Sequence, residues 1–284
     1  QSLRDEPYIY VEGVLVYGQE RIADVGIRTK GNKSWQPIDD KPSLKVKLNW
    51  SVPGQRFRGL EELTFNAMND DHSMMHERIG YALYREAGVP SARATHAVLM
   101  INEESYGLYT HLETVDEHLI ERWFSDDSGA LFELNDADYS DDYLAGFELK
   151  FADDESESHL DENLLGVAEA LTIEDPDSAM AAVEAHLQLD QFLLYWAVSA
   201  VIGQFDGYPY SIPGDDSHVY DDPESGRLHT LPHGIDESFY QSTKDVFAST
   251  VGLLASRCLE SSDCRSRLET QLETVLSLME TMNL

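Results

Sequence analysis

Positive charge is what this chain has least of. Seven Lys and 13 Arg stand against 53 Asp and Glu in 284 residues, a formal net charge of -33, and the pI is near 4.4. Such a surface repels nucleic acid and anionic membranes and keeps the chain dispersed by self-repulsion. The same imbalance reads as adaptation to high salt, where screening tames the repulsion. The unfolding midpoint is then expected to rise between low and molar salt, and a flat response removes that reading. No apolar run approaches the about 18 residues a membrane span needs. The longest, FLLYWAVSAVIG at 192–203, reads as a buried helix. From Gln1 the chain shows no basic and apolar leader, which reads as an export signal removed or never present.

Several catalytic signatures are also missing. There is no G-x-S-x-G elbow, no H-E-x-x-H, no Walker ending and no full G-x-G-x-x-G, and the acidic stretches lack the spacing of a calcium loop. Two cysteines, Cys258 and Cys264, lie six apart in RCLESSDCRSR. A disulfide between two C-terminal helices is the preferred reading, which would put the protein outside the cytosol, and two free thiols are the alternative. The segment around them reads as exposed and polar.

What is present is unevenly spread. Twelve of the 20 basic residues fall between Arg21 and Arg93, whereas only Arg122 and Lys150 are basic from 94 to 226. The N-terminal third reads as β-rich: YIYVEGVLVY, ERIADVGIRTKG and SLKVKLNW cluster or alternate β-branched and apolar residues, with EGVL and KGNKSWQP as turns. Arg28, Lys30, Gly31, Asn32 and Ser34 could cradle phosphates, although an ordinary basic hairpin has the same composition. Lys45 and Lys47 alternate with Leu44, Val46 and Leu48 and so share a strand face. DDHSMMHERIGYALYREAGVP predicts a helix capped by Asp70, Asp71 or Ser73, with Glu77 in its first turns. ATHAVLMINEESYGLYTHLETVD predicts a hairpin turning at Glu-Glu-Ser. Residues 134–162 hold 11 acids and one Lys and read as a solvated insertion. Three helices follow, the last nearly apolar all round.

The densest chemistry lies at 204–239, QFDGYPYSIPGDDSHVYDDPESGRLHTLPHGIDESF. SHVYDD and RLHTLPHGID predict two strands joined by DPESG. Asp206, Asp216 and Asp236 then sit at element ends, where one carboxylate can take a proton from a hydroxyl and the others can hold a divalent cation. Asp206 reads as the C-terminal end of the apolar helix, a position the macrodipole disfavours and function would explain. His229 and His233 alternate on one strand, a weak transition-metal pattern.

The segments VGIRTKGNKSW, KPSLKVKLN, FRGLEELTFNAMNDDHSMMHERIGYALYREAGVPSARATHAVLMIN, YGLYTHLETVDEHLIERWF, and FDGY with the hairpin ending LPHGIDESF resemble, in order, the CotH (spore coat protein H) kinase family. The resemblance covers roughly 11–240. It implies an α+β, two-lobed atypical protein-kinase-like fold, with a β-rich N-lobe at 1–115 and a mainly helical C-lobe at 116–284. It implies a phosphotransferase using ATP with Mg²⁺ or Mn²⁺ on Ser or Thr of a secreted or surface protein. In that family's terms Asp206 is the catalytic base, and Asp216 and Asp236 are metal ligands. Arg28 and Lys30 line the phosphate cradle, Lys45 or Lys47 pairs with Glu77, and Glu113 in a 111–115 hinge contacts the nucleotide. Two departures stand out: Asp215-Asp216 where relatives carry Asn-Asn, and His233 where they carry Trp. Another nucleotide chemistry on the same fold (adenylylation or glutamylation) and a non-catalytic coat or surface protein are the alternatives.

Overall fold

A computed structural model describes residues 3–4, 6, 8–31, 34–152, 162–240 and 244–283. Asn32 of the predicted cradle and 153–161 of the acidic stretch lie outside the described residues. The chain is a mixed α+β protein that divides into two compact units, 1–78 with 92–115 and 79–91 with 116–284.

The first unit is built on a six-stranded antiparallel sheet. Its strands are β1 Val11–Tyr17, β2 Glu20–Lys30, β3 Ser43–Lys47, β4 Glu62–Asn66, β5 Ala94–Ile101 and β6 Glu104–Leu112. They lie in the order β1-β2-β3-β4-β6-β5. One face is apolar: Val25, Leu44, Val46, Leu63 and Phe65 are buried together with Tyr109. That alternation is what the sequence predicts for strands with one covered side. EGVL is not a turn, because β1 runs through it with a register irregularity between Gly13 and Leu15, and the chain reverses at Gly18 instead. Gly18 has φ +60, a conformation for which β-branched Val14 is poorly suited. The β5–β6 hairpin likewise turns one residue earlier than Glu-Glu-Ser. Asn102 and Glu103 both take positive φ there, as a two-residue turn matched to strand twist requires.

Helix α1, His76–Ala87, spans the division of the chain. Of its three predicted caps, buried Asp71 does the work, accepting the amides of Ser73, Met74 and His76.

The second unit contains α2 Glu117–Trp123, α3 Glu162–Leu171, α4 Pro176–Val183, α5 Leu189–Ile202, α6 Leu253–Glu260 and α7 Ser262–Met282. It also holds a four-stranded sheet of β7 Ala130–Leu134, β8 Phe147–Phe151, β9 Ser217–Asp222 and β10 Arg227–Pro232, ordered β10-β9-β7-β8. Helix α5 is its core: Phe192, Leu193, Tyr195, Trp196, Val198 and Ile202 are all buried, as a helix apolar on every side must be. The polar atoms it carries inward are satisfied, with Trp196 donating to Tyr210 at 2.9 Å and Tyr195 paired with Ser217 at 2.6 Å. No helix among the described residues is long and apolar enough to cross a membrane.

Two expectations need correction here. The start of the acidic stretch is not a solvated excursion: its residues form β8, paired with β7, and bury Tyr139, Leu144 and Phe147. Its Asp138 is buried too and accepts from Tyr208 and the amides of Tyr139 and Leu253, so this acid is an internal anchor. The cysteines are bonded to each other and are fully buried rather than exposed. They join the end of α6 to the start of α7, where Ser261 caps α7 through the Cys264 amide.

Candidate functional site: a carboxylate centre at the end of helix α5

Helix α5 stops at Gly203, whose φ of +70 lets its amide and that of Gln204 bond back to Ser199. The chain then leaves the helix axis, so Asp206 lies on a loop three residues past the cap and is exposed. The expected helix-end position, with its dipole cost, is therefore not the one Asp206 occupies. Gly207 forms an isolated bridge with Asp215, which brings the FDGY loop alongside the Asp-Asp pair. Asp216 follows at φ +51, a left-handed conformation that Asp tolerates better than most residues, and β9 begins directly after it.

The hairpin returns the chain to the same place. Ser217 pairs with Pro232, and His233 donates its amide to the Asp216 carbonyl at 3.0 Å. Gly234, at φ +54, caps a 3-10 turn, Ile235–Glu237, that carries Asp236. A Cβ on Gly234 would stand 2.0 Å from Asp216 Oδ1, so the Asp216 carboxyl occupies the space that glycine leaves. Gln204 Nε2 donates to the Gly234 carbonyl at 2.9 Å, and the Phe239 amide reaches the Ile202 carbonyl at 2.6 Å. Three stretches far apart in sequence are thus stitched together by backbone bonds, and their acids come with them.

The electrostatic consequence is concentrated on one group. Burial pushes the Asp216 carboxyl up to about 8, reinforced in turn by the charges of Asp215, Asp236, Asp206 and Glu237. A proton is retained where negative charge is too dense to be solvated. Asp216 therefore carries, without a cation, the neutral state that an Asn would have at this position. Among the described residues no three His, Cys, Asp or Glu side chains already stand as a metal-coordinating group. The donor chemistry nonetheless fits a hard divalent cation such as Mg²⁺ or Mn²⁺, because the centre offers carboxylate oxygens and excess negative charge.

The histidines do not share a site. His229 packs edge-on against Phe124 and lies 3.6 Å from Asp222, while His233 stacks edge-on against buried His218 and lies 3.9 Å from Glu133. Burial holds His218 well below the usual imidazole range and also lowers His229, so both favour the neutral form.

In the first unit, strand register sorts the basic residues. Arg28 lies opposite Lys45 and Lys30 opposite Ser43, while Lys45 lies opposite Thr64, so Arg28, Lys30, Lys45 and Lys47 share the sheet's polar face with Glu62, Thr64 and Asn66. Their partners differ from expectation. Lys45 pairs with Glu62 at 2.6 Å, not with Glu77, because a cross-strand neighbour is nearer than a helix. Tyr10 donates to the same Glu62, and the Arg28 guanidinium lies 5.3 Å from the Tyr10 ring. Lys47 is exposed at the end of β3. Glu77 is buried and accepts from Asn66, which in turn accepts from Lys30 at 2.7 Å. Glu113 is engaged by Arg93 through its carboxylate, at 2.7 Å, and through its amide, which binds the Arg93 carbonyl at 2.8 Å. The Glu113 carboxylate thus faces Arg93, the residue just before β5. Sequence reasoning missed Glu62 and Asn66, although the alternation in ELTFN, with Phe65 buried, could have placed Asn66 on the polar face.

The α5 loop and the β9–β10 hairpin thus gather an acidic centre of carboxylate oxygens, within an α+β chain that also carries a basic sheet face. The chain belongs to the CotH kinase protein family, whose pattern it matches over residues 27–284. It is 23% identical over 299 aligned residues to the inner spore coat protein H of Bacillus subtilis (strain 168), covering 98% of this chain and 77% of that protein. A second Bacillus subtilis (strain 168) protein, an inner spore coat protein H-like protein, is 31% identical over 74 residues, 26% of this chain and 22% of that protein.

Proposed function

We propose that this chain is an ATP-dependent phosphotransferase, requiring Mg²⁺ or Mn²⁺, that modifies Ser or Thr hydroxyls of a surface or secreted protein. The observation that supports this reading is the convergence of the FDGY loop, the Asp215-Asp216 pair and the turn carrying Asp236, where burial first and then the charges of Asp215, Asp236, Asp206 and Glu237 raise the Asp216 carboxyl. A site that repels its own charge so strongly is built for a cation. Asp216 and Asp236 hold the metal in this reading, and the metal supplies charge neutralisation to a polyphosphate. Asp206, exposed on its loop, accepts the proton of the attacking hydroxyl. Arg28, Lys30, Lys45 and Lys47, on one sheet face, supply the positive charge for phosphates. An atypical kinase-like fold belongs to the same reading, supported by the family match.

The name of the B. subtilis relative favours a second reading, a coat component without catalysis, and is consistent with a surface location for this chain. One experiment separates them. The purified chain is incubated with Mg²⁺ and ATP labelled at either the α or the γ phosphate, with a Ser-rich acceptor. Label arriving from the γ position alone, and lost in Asp206→Ala, is the expected result. Label from the α position makes the chemistry nucleotidyl transfer. No label from either, with no rise in melting temperature on adding Mg-ATP, leaves the coat reading.

A further inference from the structure

The β9–β10 hairpin has two ends, and its base alone belongs to the carboxylate centre. Its tip, at Asp222 and about 16 Å along β9 from Ser217, borders an open cleft of about 440 Å³ that lies wholly within the second unit. That volume is in the range of small-ligand pockets. Trp123 and Phe124, at the end of α2, give the cleft aromatic walls, and Gln191, Asp222, Glu224 and His229 supply polar lining. No Lys or Arg is among the described residues that line it.

The fold holds these groups in place. Phe124 packs at 4.6 Å against Tyr220 and meets His229 edge-on at 5.0 Å, while Trp123 donates its indole N–H to the Ser91 carbonyl at 3.1 Å. Gln191 bonds both the amide and the carbonyl of Thr230. Asp222 is buried at 6% exposure, and its two oxygens accept the amides of Glu224 and Ser225, each at 3.1 Å. Glu224 accepts from Ser125, which ties the turn to the end of α2.

Two carboxylates are therefore fixed beside aromatic rings without a counter-cation. Arg227 lies opposite Asp222 in the ladder, yet the ion-pair partner Asp222 has among the described residues is His229, at 3.6 Å, which burial shifts towards its neutral form. A buried carboxylate with spare lone pairs and no cation favours a positively charged donor. A guanidinium suits the cleft best, because its flat face stacks on aromatic rings while its edge donates in pairs to carboxylates. Arg122, outside the cleft lining, already rests 5.3 Å from the Trp123 ring centre, so that indole serves one guanidinium in this structure.

We infer that the cleft between α2 and the hairpin tip binds the side chain of an arginine carried by a partner polypeptide. Its open mouth leaves the partner's backbone outside, and a chain of net charge -33 favours a basic partner over an acidic one. The site is separate from the carboxylate centre and needs neither nucleotide nor metal.

The test titrates Nα-acetyl-arginine N-methylamide, its citrulline and lysine counterparts and free arginine into the whole chain at one salt concentration. Binding is read from the indole N–H resonance of Trp123, assigned with Trp123→Phe. The blocked arginine is expected to shift that resonance saturably. Citrulline, which keeps the shape and loses the charge, binds about tenfold more weakly or worse, and Asp222→Asn weakens the arginine probe by about as much. Glu224→Gln, at an exposed position, costs about threefold. The lysine probe and free arginine bind more weakly than blocked arginine, and Glu280→Gln, near the end of α7, binds as the wild type does. Should Asp222→Asn fail to fold, the citrulline comparison and Glu224→Gln carry the test. The inference is overturned if the Trp123 resonance does not respond, if citrulline or lysine binds as tightly as arginine, or if folded Asp222→Asn binds like the wild type. It is overturned too if Glu280→Gln weakens binding as much as the cleft variants, which would make the attraction diffuse, or if free arginine binds more tightly than the blocked form, which would assign the cleft to the amino acid. Transfer of label from ATP, present or absent, changes none of these outcomes.

Discussion

Replacing Asp216 by Asn is expected to raise the melting temperature of the metal-free protein at pH 8, by a margin that shrinks as the pH falls towards 4. The sign follows from the raised carboxyl. Its folded-state value is about 8 against 3.8 for the free side chain. The stability associated with the protonated form is thus fully present below 3.8 and is lost progressively as pH rises through 8. The folded wild type is therefore penalised across that whole window, by an amount on the order of a few kcal/mol at its upper end. Asn keeps the shape and removes the titration. Differential scanning fluorimetry of both proteins in chelator, from pH 4 to 9, reads the effect directly. Parallel curves would mean that burial and the surrounding acids do not raise the Asp216 carboxyl.

The same group sets the pH dependence of metal binding. A cation bound through Asp216 must displace its proton, so the apparent affinity for Mg²⁺ should tighten with pH by up to about tenfold per unit below 8. Asp216→Asn should flatten that dependence while keeping an oxygen donor. In the proposed reading the departure from the family's Asn-Asn is a consequential one, since it would tie metal occupancy to pH.

The second large effect concerns Asp206. Its exposure on a loop, away from the packed interior, makes Asp206→Asn nearly neutral for folding, whereas removal of a general base costs about 10²- to 10⁴-fold in rate. The expected outcome is that kcat falls by that factor with the KM for ATP little changed, measured as γ-label transferred to acceptor. A loss confined to KM would make Asp206 a binding group instead.

Much of the local architecture could be read in advance. The strands at 217–222 and 227–232 with their turn, the helix after Asp71 and the apolar α5 all follow from periodicity and from turn and cap residues. Misreadings arose where a local signal was weaker than a long-range pairing. The acidic stretch looked solvated because of its composition, but β8 pairs with β7 and Tyr139, Leu144, Phe147 and even Asp138 are buried. EGVL looked like a turn because of Gly13, yet the ladder to β2 carries the strand through it. Asp206 was expected to end a helix, and the left-handed Gly203 releases the chain first.

Side-chain identity alone therefore established the acidic character, the family resemblance and the presence of carboxylates at 206, 216 and 236 near element ends, because these depend on composition and on neighbours along the chain. Which acids meet, and which lysine meets which partner, came from the folded arrangement. The bridge from Gly207 to Asp215 and the space left by Gly234 gather the acids around Asp216, and cross-strand register gives Lys45 to Glu62 and Lys30 to Asn66. Both depend on hydrogen bonds between segments far apart in sequence, and no spacing along a single strand or helix encodes them.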